Sequence, residues 1–157
     1  MTIRGNFKNF IKPEELTGPK EGTELRYTKI TVILGSKPER SDINQELQWF
    51  AGSLGLFGLR DKDKSCFRIF ITLLKSLKAG ERLSSDEIAA RTGLTRGTIV
   101  HHLNNLMDSG IVRMDRNKYF LRMDSLEEMV DYLKRDADEA WDRIRGVAKN
   151  IDEKLGL

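Results

Sequence analysis

Residues 83–112 read LSSDEIAARTGLTRGTIVHHLNNLMDSGIV, and this stretch decides the fold. Ser84 or its neighbour can accept hydrogen bonds from the free backbone amides at the start of a first helix. Gly93 supplies a turn at low steric cost. Thr95 can cap a second helix, which Gly110 ends in the left-handed conformation that helix C-termini favour. The stretch therefore predicts two short helices joined by a tight turn, the arrangement of a helix-turn-helix.

The flanking segments extend this motif into a larger unit. Residues 111–122, IVRMDRNKYFLR, alternate apolar and polar residues on both sides of Arg116–Asn117, which predicts a β-hairpin with its tip at those two residues. Residues 66–80, CFRIFITLLKSLKAG, predict an amphipathic helix that ends at Gly80. The predicted apolar face of that helix consists of Phe67, Phe70 or Ile71, Leu74 and Leu77. The amphipathic helix, the two helices of the motif and the basic hairpin together make a winged helix-turn-helix.

Over about residues 61–122 the chain resembles the ArsR/MarR-like winged-helix regulators, most closely their small archaeal members. The segment SSDEIAARTGLTRGTIVHHLNNLMDSGIV and the wing RMDRNKYFLR carry this resemblance. It implies a transcription regulator that binds double-stranded DNA through the second helix of the motif. Metal-sensing members of the ArsR family carry a cysteine pair on the helix before that one, and here this helix reads SSDEIAARTG, without a cysteine. A metal or metalloid sensor is therefore not expected.

The expected fold class is mainly α (α+β), with a winged helix-turn-helix at its centre. Residues 1–23 are expected to be irregular, and residues 24–59 to form a strand-helix extension. In that extension ELRYTKITVILG, residues 24–35, predicts a strand, and residues 39–53 predict a helix. Residues 60–123 form the expected DNA-binding domain, and residues 124–157 a C-terminal dimerisation helix.

Charge and composition narrow the class of protein. Residues 60–123 carry 13 Lys and Arg against 7 Asp and Glu, a net charge of +6, whereas residues 124–157 carry 6 against 10, a net charge of −4. The basic excess thus lies on the winged helix, as binding to phosphate requires. The single cysteine, Cys66, is expected to be a buried thiol, which fits a reducing cytoplasm. No signal peptide or membrane span is visible in the sequence.

The second helix of the motif is the expected reading element. Steps of about 100° per residue put Ile99, Leu103 and Leu106 on its core side. Arg96 suits guanine because its fork can bond O6 and N7 together, although a phosphate contact is as frequent in such interfaces. The candidate DNA-binding residues are Thr95, Arg96, Gly97, Thr98, His101, Asn104 and Asn105 on and before this helix, and Arg113, Arg116, Asn117 and Lys118 at the wing. His102 is expected to have a packed structural role on the flank.

Catalytic and cofactor chemistry find no support in the sequence. The two histidines are adjacent rather than four residues apart, and one cysteine cannot build a thiolate site. No glycine-rich phosphate loop and no paired acid and base are present. We therefore expect no enzyme activity, no cofactor and no metal. The sequence does not identify a small-molecule effector.

The C-terminal segment predicts a long helix with a coiled-coil seam. Apolar residues recur there at steps of four and three for about four heptads. The seam consists of Leu126, Val130, Leu133, Ala137, Ala140, Ile144, Val147, Ile151 and Leu155, with Trp141 beside it. Such a helix is too long for this small domain to cover, so a homodimer is expected. The alternative is a helix folded back over the N-terminal strand and helix of the same chain.

Two other functions compete with sequence-specific DNA binding by a homodimer. Winged helices also serve as protein-interaction adaptors in transcription and other multiprotein assemblies, and the acidic C-terminal helix agrees with that reading. RNA binding is less favoured, because no β platform with aromatic residues for base stacking is evident.

Overall fold

The computed structural model describes residues 29–37, 39, 42–58 and 61–157. Within these residues the chain forms five helices and one two-stranded antiparallel sheet. In chain order the elements are α1 (Ile43–Ser53), α2 (Ser65–Lys78), α3 (Ser85–Thr92), α4 (Arg96–Asp108), β1 (Val112–Asp115), β2 (Lys118–Leu121) and α5 (Leu126–Leu155). This confirms the expected fold class, a mainly helical winged helix-turn-helix with a long C-terminal helix. The segment predicted to be irregular, residues 1–23, lies outside the described residues.

The core lies between α2, α3, α4 and the sheet. Each helix contributes side chains that are 0 or 1% exposed, and the residues that follow α4 close the core. These side chains include Ile69, Phe70, Leu73, Ile88, Ile99, Leu103, Leu106 and Ile111. Burial of a Leu, Ile or Phe side chain stabilises the fold by roughly 1.5–3 kcal/mol. This packing fixes the relative orientation of the two helices of the motif.

The predicted face of α2 needs correction. Its fully buried stripe runs through Cys66, Ile69, Phe70, Leu73 and Ser76, whereas the predicted residues, Phe70 excepted, are only partly buried. Those partly buried residues are Phe67, Ile71, Leu74 and Leu77. The helix is apolar over a broad arc, and contact with α3, α4 and β2 decides which part of that arc lies deepest.

The hairpin has the register that its turn dictates. Val112 pairs with Leu121 and Asp115 with Lys118, so the connection is a two-residue turn at Arg116–Asn117. Both turn residues have positive φ, 49° and 61°, which is typical of the type I′ turn that matches strand twist. An antiparallel bridge from Leu83 to Tyr119 adds a one-residue third strand beside β2. This bridge ties the start of the helix-turn-helix to the wing.

The N-terminal extension differs from the sequence prediction. Residues 29–35, the described part of the predicted strand, belong to no sheet, and residues 24–28 lie outside the described residues. Two backbone hydrogen bonds hold the described part, from Lys29 N–H to Asp108 O and from Ile33 N–H to Ser53 O. Helix α1 begins at Ile43 rather than near residue 39, because the Asp42 carboxylate caps it by accepting from Gln45 N–H at 2.9 Å. The predicted strand is therefore absent where it can be examined.

Helix α5 has two parts with different surroundings. Met129 and Leu133 are buried against the domain, and Leu126 packs partly against the same core. From Ala140 onwards almost every residue is exposed, including Trp141 at 64% and Val147 at 59%. Leu126 and Leu133 of the predicted seam thus pack within the chain, together with Met129, which the seam did not include. Among the described residues, the seam residues Ala140, Ile144, Val147 and Ile151 are exposed.

Candidate nucleic-acid interface

The start of α3 is fixed by a capping box. The Ser84 hydroxyl accepts from Glu87 N–H at 3.2 Å, and the Glu87 carboxylate accepts from Ser84 N–H at 2.6 Å. Two amides that the helix leaves unpaired are thereby satisfied. The helix ends at Gly93, whose φ of 69° is unfavourable for a residue with a Cβ atom. The sequence predicted both ends correctly.

Helix α4 begins at Arg96, three residues after Gly93. The Thr95 hydroxyl accepts from Thr98 N–H at 3.3 Å, and the two threonine hydroxyls lie 2.9 Å apart. Thr98 is half-buried. Thr95 and Thr98 therefore stabilise the first turn of α4, and both belong to the predicted DNA-binding set.

The outer face of α4 is free of contacts with the core. Ile99, Leu103 and Leu106 are 0 or 1% exposed, which confirms the predicted inner face. The exposed residues of the outer face are Arg96, Gly97, Val100, His101, Asn104, Asn105 and Asp108. Val100, 38% exposed, was missed because an apolar residue in a helix is ordinarily assigned to the core. Added to the outer face, it offers a methyl surface between the polar candidates.

Arg96 is the single arginine or lysine of α4. Its Nε lies 3.7 Å from the Asp86 carboxylate, and the two side chains are 72% and 73% exposed. An exposed pair of this kind contributes at most about 1 kcal/mol. The Arg96 guanidinium can therefore leave Asp86 for a phosphate or a guanine at little cost.

The wing is fastened to α3 through Lys118. The Lys118 ammonium lies 2.6 Å from the Glu87 carboxylate, the same carboxylate that completes the capping box. The hydrogen bond from Lys118, together with that from Ser84 N–H, lowers the pKa of Glu87 to about 2. Lys118 thus has a structural partner, while Arg113, Arg116 and Asn117 at the hairpin are exposed.

A second tie to the wing was not predicted. The Arg82 guanidinium lies 4.2 Å from the centre of the Phe120 ring and donates to the Asp115 carboxylate at 3.1 Å. Tyr119, on the other face of the strand, packs against the core, so the two aromatic residues point to opposite sides of the hairpin. No local pattern reveals Arg82, because its partners lie more than 30 residues away in the chain.

The two histidines have different environments. His101 is exposed, and its Nε2 lies 3.4 Å from the Asn105 amide nitrogen. His102 is half-buried, and burial lowers its pKa despite the opposing charge of Asp61. His102 is consequently neutral at neutral pH and does not add a positive charge there.

The buried cysteine and the acid near it are structural. Burial, reinforced by the charge of Asp61, raises the pKa of the Cys66 thiol to about 12. Burial alone would raise the Asp61 pKa, but hydrogen bonds from the backbone N–H groups of Cys66 and Ser65 lower it. Among the described residues no three His, Cys, Asp or Glu side chains cluster as a metal site would require, and no helix there is long and apolar enough to cross a membrane.

Comparison with known families agrees with this geometry. Residues 71–114 match the family model described as bacterial regulatory protein, arsR family. This segment is similar to the helix-turn-helix of the arsR family. The match runs from the second turn of α2 into β1, so it includes the complete helix-turn-helix. A search of curated proteins gave no significant match. The arsR family is one of regulatory proteins that bind double-stranded DNA, not one of enzymes.

Proposed function

We propose that the protein is a sequence-specific DNA-binding transcription regulator that acts as a homodimer. The observation that carries the proposal is the outer face of α4 in an arsR-type domain. That face holds Arg96, His101, Asn104 and Asn105 exposed, while its opposite face is fully buried. A helix fixed in this way can enter the major groove, and its first residues can then contact base edges.

The wing would hold the backbone beside the groove. Arg113 and Arg116 are exposed cations on a hairpin that Lys118 and Arg82 fasten to the domain. A fixed hairpin loses little conformational entropy when its cations meet phosphate. We assign Arg113, Arg116 and Asn117 to phosphate or the adjacent minor groove. Lys118 contributes less, since Glu87 already neutralises it.

The dimer would form along the exposed part of α5. Trp141, Ile144, Val147 and Ile151 are 49–64% exposed on one face of a helix that would be about 45 Å long. Apolar residues at heptad spacing pack against the same face of a second helix. Two arsR-type domains joined in this way would contact half-sites roughly 34–36 Å apart. A cytoplasmic location would suit such a regulator, and we propose that its nearest relatives are small archaeal members of the family.

Selection from a random duplex library tests the reading role. We expect the full chain to enrich one two-fold symmetric sequence. Arg96→Ala should weaken binding to that sequence more than binding to random duplex, whereas Arg145→Ala, with the same charge change at an exposed site on α5, should leave the ratio unchanged. Equal losses on both duplexes would reduce Arg96 to a phosphate contact. Failure of the wild type to bind any duplex at 50 mM salt would favour the protein-interaction adaptor.

Light scattering tests the dimer. Ile144→Asp places a charge in the exposed apolar face, and the mass should fall from twice 18.0 kDa to 18.0 kDa. Asn150→Asp introduces the same charge elsewhere on the exposed part of α5 and should leave the mass of the dimer unchanged. A wild-type mass of 18.0 kDa at micromolar concentration would contradict the dimer.

A further inference from the structure

The first half of α5 forms one wall of an open apolar cavity. The cavity has a volume of about 360 Å³, and its other walls are residues 29–34, the second half of α1 with Trp49, and the residues that follow α4. Leu133 belongs to this lining and is only 6% exposed. The seam residues that line the cavity are Val130, Leu133 and Ala137. The described residues thus leave a recess over the first half of the seam.

The second half of α5 has the opposite shape. Residues 138–154 are all exposed, so the helix stands clear of the domain there. Its apolar residues Ile144 and Val147 project from this bare helix. A parallel pair of α5 helices would place Leu133 against Leu133 of the partner subunit, and two recessed side chains cannot reach each other. An antiparallel pair would instead place a projecting half on each recess.

The charges of the two halves also favour the antiparallel order. Residues 126–138 carry 2 Lys and Arg against 5 Asp and Glu, a net charge of −3, whereas residues 139–151 carry 3 against 2, a net charge of +1. In a parallel pair each half would meet a half with charge of the same sign. In an antiparallel pair each half would meet the opposite sign. Charged residues beside a coiled-coil seam set the orientation of its helices.

One antiparallel register pairs the whole seam from residue 126 to residue 151. Its pairs between the two chains are Leu126 with Ile151, Val130 with Val147, Leu133 with Ile144 and Ala137 with Ala140. The same register brings Asp136 beside Arg143 of the partner subunit, since each directly precedes a seam residue. Asp136 already lies 3.6 Å from Arg122, and Arg143 donates to Glu139. Both groups can still pair, because a carboxylate accepts from several donors and a guanidinium has five N–H groups.

We propose that the cavity is the docking site for the second half of α5 from another copy of the chain, in an antiparallel dimer. Ile144 and Val147 of the partner subunit would pack over Leu133 and Val130, and the same contacts would recur at the other end of the helix pair. This orientation rests on the dimer of the proposed function, and it deepens that proposal by naming what each α5 packs against.

The register also sets the distance between the two domains. Leu126 would lie beside Ile151 of the partner subunit, which is 25 residues further along α5. The two α5 helices would therefore begin about 38 Å apart. This distance is close to the separation of DNA half-sites one helical turn apart, roughly 34–36 Å.

Disulfide formation between introduced cysteines tests the orientation. We expect the double variant Val130→Cys/Val147→Cys of the full chain to form a covalent dimer on oxidation, because the register brings these positions of the two chains together. Each single variant should remain a monomer on a denaturing gel, since its cysteine would face a valine. The native Cys66 is buried and does not compete. Covalent dimers of Val147→Cys alone, or none of the double variant, would overturn the proposal.

Ile33→Asp tests whether the partner enters the cavity. Ile33 lines the cavity and is 52% exposed, so the charge should raise the dissociation constant of the dimer at least tenfold in analytical ultracentrifugation. Met114→Asp makes a similar change on the wing, at a residue 50% exposed, and should leave the constant unchanged. Circular dichroism checks that both variants are folded. Equal constants for Ile33→Asp and the wild type would show that the partner does not occupy the cavity.

The mass of the wild type separates this inference from the proposed function. A mass of 18.0 kDa would remove the dimer and the docking site together. A mass of twice 18.0 kDa, with covalent dimers from a single cysteine variant, would contradict the antiparallel order and leave the dimer standing. None of these measurements contains DNA, so their failure does not affect the DNA-binding role of α4.

Discussion

Replacement of Leu103 by Ala tests which side of α4 is held by the domain. Leu103 is 0% exposed, and the substitution removes three carbon atoms from the core. At about 0.8 kcal/mol per buried methylene the transfer contribution is about 2.4 kcal/mol, and the cavity left behind adds roughly 1 kcal/mol. We therefore expect the free energy of unfolding to fall by about 3–4 kcal/mol.

Val100→Ala is the matched control on the same helix. Val100 is 38% exposed on the outer face, so little buried area is lost, and alanine has the better helix propensity by about half a kcal/mol. The net change should be close to zero.

Urea unfolding followed by circular dichroism at one protein concentration measures both variants. With an m-value of about 1.5–2 kcal/mol per molar, Leu103→Ala should lower the midpoint by roughly 2 M. A loss below about 1 kcal/mol for Leu103→Ala, or an equal loss for Val100→Ala, would mean that the assigned inner and outer faces of α4 are wrong.

Three further predictions follow from the pKa shifts. Cys66, whose thiol pKa is raised to about 12, should not react with Ellman's reagent at pH 8 in the folded protein and should react fully in 8 M urea; rapid reaction of the folded protein would contradict its burial. Burial lowers the pKa of His102, so this residue should titrate below 6.5 in an NMR titration whose signals are assigned with His101→Gln. Because the unfolded chain takes up this proton at a higher pH than the folded chain does, His102 lowers the free energy of unfolding as pH falls through 6.5. Glu87, with its pKa lowered to about 2, should stabilise the fold fully above pH 4.5 and progressively less as pH falls towards 2, so the stability difference between wild type and Glu87→Gln should be smaller at pH 3 than at pH 7. A difference that does not depend on pH would indicate that Glu87 acts without its charge.

The helix-turn-helix and the wing could be predicted from the chemistry of neighbouring residues. The cap at Ser84, the left-handed residue Gly93 and the cap at Thr95 each depend on groups within three or four residues of the helix end. The Arg116–Asn117 turn is equally local, because a two-residue hairpin needs positive φ at both positions. Caps and turns of this kind can be predicted because they form from neighbouring residues and do not depend on tertiary contacts.

The predictions that were wrong concern features that depend on residues far away in the sequence. The apolar arc of α2 includes both Phe67 and Ile69, and only contact with α3 and α4 decides that Ile69 is the deeper of the two. Residues 29–35 are rich in β-branched residues, as a strand is, yet no strand among the described residues pairs with them. Such a composition shows a capacity for pairing, not the presence of a partner.

The interface electrostatics were also beyond local reading. Lys118 was predicted to meet DNA, but its carboxylate partner Glu87 lies 31 positions earlier in the chain. Arg82 reaches Asp115 across a similar separation. The cavity beside Trp49 likewise needs residues 29–34, α1 and α5 in one place. These features join residues that are far apart in the sequence, so they become visible only once the elements are assembled.

The salt dependence of DNA binding tests most directly whether the face of α4 and the wing hold a duplex. The measurement is fluorescence anisotropy of the selected duplex with the full chain between 50 and 300 mM salt. Arg96, Arg113 and Arg116 are exposed in each chain, and six cations in a dimer predict a slope of log Kobs against log salt of roughly −5. A slope shallower than about −1, or no binding at 50 mM salt, would contradict a DNA-binding role for this surface.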